Sequence, residues 1–194
     1  MSDYMVEQTT GDRAVRYKPI VVAIHWLTAA LIVCQVWLGF TFNDLPKGTS
    51  ERAELFTWHK TVGATILILA LVRLAVRLMN PPPPYPAEMA RWERAFAVWT
   101  HRIFYFLIIV IPLTGLIAVS AKTTGATTPL IGGFPLPVIP GISEGGGEIS
   151  GEVHEWLVYS TIALLVLHVA GALKHQFIDR GPSADRMWPF RSTR

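Results

Sequence analysis

Six histidines, His25, His59, His101, His154, His168 and His175, all fall within or at the edge of long apolar stretches of this 194-residue chain. An ionisable ring is expensive in hydrocarbon and is usually kept there for function. Imidazole is both a frequent axial ligand of haem iron and a proton carrier, so the pattern points to redox chemistry or proton transfer inside a membrane. The only cysteine, Cys34, lies mid-span and reads as a small apolar residue. No Cys-x-x-Cys-His attachment exists, so any haem is held without a covalent bond.

His154 and His168 stand fourteen residues apart. At about 100° and 1.5 Å per residue they share nearly one helix face, roughly 21 Å apart. One such stripe can serve two cofactors stacked across a bilayer. His25 is expected at the inner end of the first span and His59 at the outer end of the second, so depth pairs His154 with His59 and His168 with His25, each pair gripping one haem b. Gly39 follows His25, and Gly115 follows His101, by the same fourteen residues. Gly63 and Gly171, one turn from His59 and His168, are expected to admit a flat macrocycle or close helix packing. His175, seven residues beyond His168, would share its face about 10 Å nearer the cytoplasm, where it suits a quinone carbonyl or a proton relay. A solvated histidine at a helix end is the plain alternative. His101 lines the same inner pocket or replaces His25 or His168 as a ligand. Arg73 and Arg77, one turn apart, neutralise haem propionates or anchor the helix at the interface.

The elements that must position these rings are four apolar runs of about 20 residues or more, each long enough to cross roughly 30 Å of hydrocarbon as a helix: Ile20 to Phe42, Trp58 to Leu78, Phe96 to Ala121 and Val153 to Phe177. The chain is 51% apolar and only 16% charged, against about 25% charge for a soluble domain. The expected fold is an all-α membrane four-helix bundle. An N-terminal arm spans 1–19, the dihaem domain 20–178 with an outer loop at 122–152, and a tail 179–194. The first run is longer than a signal-peptide core and lacks a cleavage site, so it is expected to be retained. Pro81 to Pro84 and Pro86 end the second helix, Met89, Trp92 and Phe96 suggest a short interfacial stretch, and Pro112 should kink the third helix. The apolar centre of the outer loop, 129–141, is expected to cap the bundle.

Thirteen of the seventeen basic residues fall in the N-terminal arm, the middle connection with its flanks and the C-terminal tail. Basic residues resist translocation, so both termini are expected in the cytoplasm, with the protein multi-pass in a bacterial inner membrane. This split accounts for the net charge of +3, and nucleic acid is not an expected partner.

The sequence resembles the bacterial cytochrome b561 family, whose membrane domain is related to the b-haem subunits of nickel-iron hydrogenases. The resemblance rests on Ile24-His25-Trp26, Trp58-His59-Lys60-Thr61-Val62-Gly63, Leu71-Val72-Arg73-Leu74, Thr100-His101-Arg102, His154-Glu155-Trp156 and Leu167-His168 through His175, in that order along nearly the whole chain. It implies two haems b bound at His25, His59, His154 and His168, and ubiquinone binding at His175. At least one family member is a superoxide oxidase that passes electrons from superoxide outside to ubiquinone. The outer segments here depart from that specialisation: Asp44, Glu51, Glu54, Glu144, Glu148, Glu152 and Glu155 oppose four bases, Lys47, Arg52, Lys60 and Lys122. Steering an anion favours a positive field, which those four bases could supply only as a local funnel. An electron-transfer subunit docking a periplasmic redox protein is the alternative, and a haem-free bundle using its histidines for protons or metal is a third.

Overall fold

In the computed structural model, which describes residues 17–82, 85, 89–178 and 187, the chain forms four long helices: α1 (Pro19–Asp44), α2 (Ser50–Met79), α3 (Arg91–Ala121) and α4 (Glu144–Leu173). A π-helical turn, Lys174–Ile178, extends α4. All four are long and apolar enough to cross a membrane. The N-terminal arm lies outside the described residues apart from its last three, as does the C-terminal tail apart from Met187.

Local chemistry sets the boundaries. Pro19 opens α1, where a missing N–H costs nothing. Thr49 caps α2 by accepting from the Arg52 N–H, and Ser143 caps α4 by accepting from the Gly146 N–H. α2 begins eight residues before the apolar run that announced it, because the Thr49 cap and the acidic first-turn Glu51 stabilise an exposed first turn. The third helix starts at Arg91, so Trp92 and Phe96 lie in its first turns, with Met89 just before it.

One expected boundary needs correction. The outer loop was expected over 122–152, but α4 begins at Glu144. Its first turns run through Gly145, Gly146 and Gly147, residues that favour coil when considered locally. Packing reverses that preference: a Cβ at Gly147 would collide with the Cβ of Ala121, so only glycine lets the two backbones come this close. α3 is helical on both sides of Pro112.

The helices pair as two antiparallel hairpins, α1 with α2 and α3 with α4, joined by a lesser α2–α3 contact. Between α1 and α2, the Arg52 guanidinium donates to the carbonyls of Phe42, Asn43 and Leu45 at 2.7, 3.1 and 2.7 Å, which satisfies the free end of α1. Between α3 and α4, the Ser150 hydroxyl donates to the Thr114 carbonyl at 2.9 Å. At the opposite end Lys174 and Glu93 form an ion pair of 2.9 Å. Only six apolar side chains are fully buried among the described residues, Ile24, Leu38, Ile66, Ala70, Leu107 and Ile108. The four helices also enclose a cavity that their own side chains leave unfilled.

Between α3 and α4 the chain forms a small antiparallel ribbon, β1 (Thr127–Pro129) with β2 (Pro135–Pro137), Thr128 facing Leu136. Its tip turns through Gly132 and Gly133 at φ of 77° and 76°, a left-handed conformation that a side chain would resist. Lys60 Nζ donates to Thr128 Oγ1 at 2.7 Å, the Ile131 N–H to Thr61 Oγ1 at 3.0 Å and the Ile139 N–H to Ser120 Oγ at 3.0 Å, so the ribbon is latched across α2 and α3.

Gly147→Ala should lower the melting temperature in detergent, at a cost of about 1–3 kcal/mol for overpacking. Adding Ala121→Gly should restore most of it. An unchanged melting temperature in the single variant, followed by circular dichroism, would refute the close approach.

Candidate functional site

At the ribbon end, the start of α2 presents His59 and the start of α4 presents His154, their ring centroids 6.2 Å apart and their planes inclined by 70°. Both line a cavity of about 510 Å³ with Gly39, Gly115, Lys60 and Leu136, a volume within the range of small-molecule and cofactor pockets. The two glycines give the rings their room. The Cβ position at Gly39 lies 3.3 Å from His59 Cε1, and that at Gly115 lies 3.1 Å from His154 Cε1. The fourteen-residue glycine spacing thus serves the ribbon-end histidines directly.

His154 donates from Nδ1 to the Ile111 carbonyl at 2.9 Å. That carbonyl belongs to the amide preceding Pro112, and it also accepts the Thr114 hydroxyl at 2.8 Å. With its proton on Nδ1, the ring keeps a lone pair on Nε2, the tautomer needed to bind iron. His59 Nδ1 is buried without a partner at full hydrogen-bond geometry. Gly63 lines the same cavity and has a second role. Its Cβ position lies 3.1 Å from Gln35 Nε2, so the glycine makes room for that amide.

At the other end, His25, His101 and His168 lie within electrostatic reach of one another and of Arg73. The His168 ring meets His101 edge-on at 5.3 Å and Phe104 at 5.4 Å. His101 donates from Nδ1 to the Ala97 carbonyl at 2.6 Å, which frees its Nε2. His25 is arranged differently: Arg73 Nη2 donates to its Nδ1 at 2.8 Å, so its proton sits on Nε2. Ligation through Nε2 therefore requires Arg73 to let go of this ring. Arg77 carries a buried Nη1 without a partner. The Cβ position at Gly171 meets open space. His175 lies in the π-helical turn, within electrostatic reach of Glu93. His175 thus follows His168 by seven residues, of which only the last two lie in the widened turn.

The four bases of the supposed funnel divide. Arg52 is spent on α1 carbonyls and Lys60 on Thr128, whereas Lys47 and Lys122 are exposed. Gln35, Thr114 and the Ile111 carbonyl escaped the sequence analysis. Gln35 had a signal, since it is an uncharged polar side chain in the middle of an otherwise apolar span. The carbonyl had none, because every residue has one.

Among the described residues, no group of three or more histidine, cysteine or carboxylate side chains is placed to hold a bare metal ion. A haem asks less of the protein, because the porphyrin nitrogens complete the coordination and two axial imidazoles suffice. The ribbon-end pair meets that requirement through its facing rings, the Nδ1-protonated His154, the apolar cavity walls and the cleared glycines.

The chain matches the family model of prokaryotic cytochrome b561 over residues 16–190. It is 28% identical over 172 residues to cytochrome b561 homolog 2 of Escherichia coli (strain K12), covering 89% of this chain and 90% of that protein. It is 21% identical over 178 residues to the probable superoxide oxidase CybB of Yersinia pestis, covering 90% and 96%. With its histidine pair set in a bundle of membrane-crossing helices, the chain belongs to the prokaryotic cytochrome b561 family, multi-pass bacterial membrane proteins that bind b-type haem and transfer electrons.

Proposed function

We propose that this protein holds two haems b without covalent bonds and moves single electrons between superoxide, met at the ribbon end, and ubiquinone at the opposite end. The observation that carries this reading is the facing His59 and His154 pair in its apolar cavity, with one imidazole already fixed in the iron-binding tautomer. Each haem supplies an iron that accepts and gives back one electron. The chain's part is to hold, separate and insulate. His59 and His154 take one group, and His168 with His25 the other, about 21 Å away along α4. Arg73 and Arg77 balance the carboxylates of the second group, which would give Arg77 Nη1 the partner it lacks. His175 hydrogen-bonds a quinone carbonyl. The basic distribution puts both termini in the cytoplasm and the ribbon in the periplasm of a bacterium, with the protein in the inner membrane.

One observation favours His101 over His25 as the partner of His168: its Nδ1 is already donated to a main-chain carbonyl and its ring touches that of His168. The substitution series decides between them. His59→Ala or His154→Ala should remove one b-type spectral component, halve the haem per chain and leave the other component in place. Of His25→Ala and His101→Ala, the one that removes the second component identifies the ligand. Purified protein holding no porphyrin, or one per chain, sinks the proposal.

Superoxide as donor has its own check. Pulsed superoxide should reduce the detergent-solubilised protein rapidly, in a phase lost in His59→Ala. A second reading, an electron-transfer subunit serving a basic periplasmic redox protein, draws support from charge. All seven acidic residues of the ribbon end are exposed, while Arg52 and Lys60 are turned inward. Indifference to superoxide together with reduction by a small basic cytochrome would favour that reading.

A further inference from the structure

The two ribbon-end histidines are not held alike. His154 is fixed by the Ile111 carbonyl, but no side chain or carbonyl does the same for the His59 ring at full hydrogen-bond geometry. The residue beside it is Gln35 of α1. Its Nε2 donates to the His59 main-chain carbonyl at 3.0 Å, a bond that spans two helices. The Gln35 main-chain carbonyl lies near the His59 imidazole but leaves Nδ1 without a hydrogen-bond partner. Its Oε1 is buried without a partner, and the residue lines the same cavity as both histidines.

Two glycines make this arrangement sterically possible. Gly63, one turn after His59, leaves 3.1 Å between its Cβ position and Gln35 Nε2. Gly39, one turn after Gln35, leaves 3.3 Å between its Cβ position and His59 Cε1. A methyl at either position would push against the amide or the ring. An amide in the middle of a membrane span is costly, and nothing else among the described residues uses it.

We infer that Gln35 is a positioning residue for His59, tethering the histidine's main chain through its side-chain amide and so fixing where the ring stands in the cavity, with Gly63 as the seat of the amide. Partners of this kind orient a metal-binding imidazole and raise its basicity, and losing one typically weakens metal retention about 10- to 100-fold. The inference rests on the functional reading above, in which His59 holds a haem.

The test uses the full-length protein in detergent. Gln35→Met keeps the length and removes the amide, while Gly63→Ala keeps the amide and removes its seat. Both should shift the spectral position and midpoint potential of the component that His59→Ala abolishes, weaken its haem retention about 10- to 100-fold, and let carbon monoxide bind its reduced iron, which two firm imidazoles exclude. The second component is the internal control and should not move. The double variant should be no worse than the more severe single one, because both remove the same bond. Unshifted spectra with no carbon monoxide binding in both variants would overturn the inference, as would additive effects or equal loss of both components. Absence of two components in the unmodified protein would instead refute the functional reading.

Discussion

An imidazole inside a lipid-embedded bundle has two nitrogens and no water to satisfy them, and the rest of this protein follows from how each nitrogen is used. His154 shows the solution in full. One nitrogen gives its proton to the Ile111 carbonyl, and the other keeps the lone pair that makes the ring a ligand. The receiving segment of α3 is shaped for that bond. Thr114 adds its hydroxyl to the same carbonyl, and Gly115 removes the side chain that would block the ring.

The same requirement explains why the bundle is two zipped hairpins with space between them. Within each hairpin, small residues and polar tethers bring the backbones close: Gly147 against Ala121 and Ser150 against Thr114 in one, Gln35 against His59 and Arg52 against the end of α1 in the other. Between the hairpins the helices touch less, chiefly through α2 and α3. A bundle closed by ridge-into-groove packing would leave no volume for a large flat guest. Here the volume lies where the imidazoles face each other, and the ribbon latched by Lys60, Thr61 and Ser120 lies over that end.

The opposite end is governed by charge. A guanidinium in hydrocarbon must be paired or solvated, and Arg73 meets the need by bonding His25 and lying over the Tyr105 ring at 5.5 Å. That bond sets the His25 tautomer against ligation, whereas the neighbouring His101 is set in favour of it. A carboxylate-bearing guest would compete for Arg73 and satisfy Arg77 together, which links the proposed haem propionates to the release of His25. A neutral main-chain carbonyl thus fixes the tautomer of His154 at one end and of His101 at the other, whereas His25 is held by a cation.

The sequence by itself determined the number of helices, their membrane-crossing character and the identity of the histidines, because apolar run length and the cost of an ionisable group in lipid are properties of the residues alone. It also placed Gly39 and Gly115 near the chemistry, since helical periodicity converts a fourteen-residue interval into a shared face. Only the tertiary structure decided that α4 starts in a glycine run, that Gly63 seats Gln35, that Arg52 closes a helix end and that His175 sits in a π-helical turn. Each of these depends on which backbone lies opposite at a distance of a few ångströms. A one-dimensional pattern records which residues share a face, but it carries no information about the partner that the face meets.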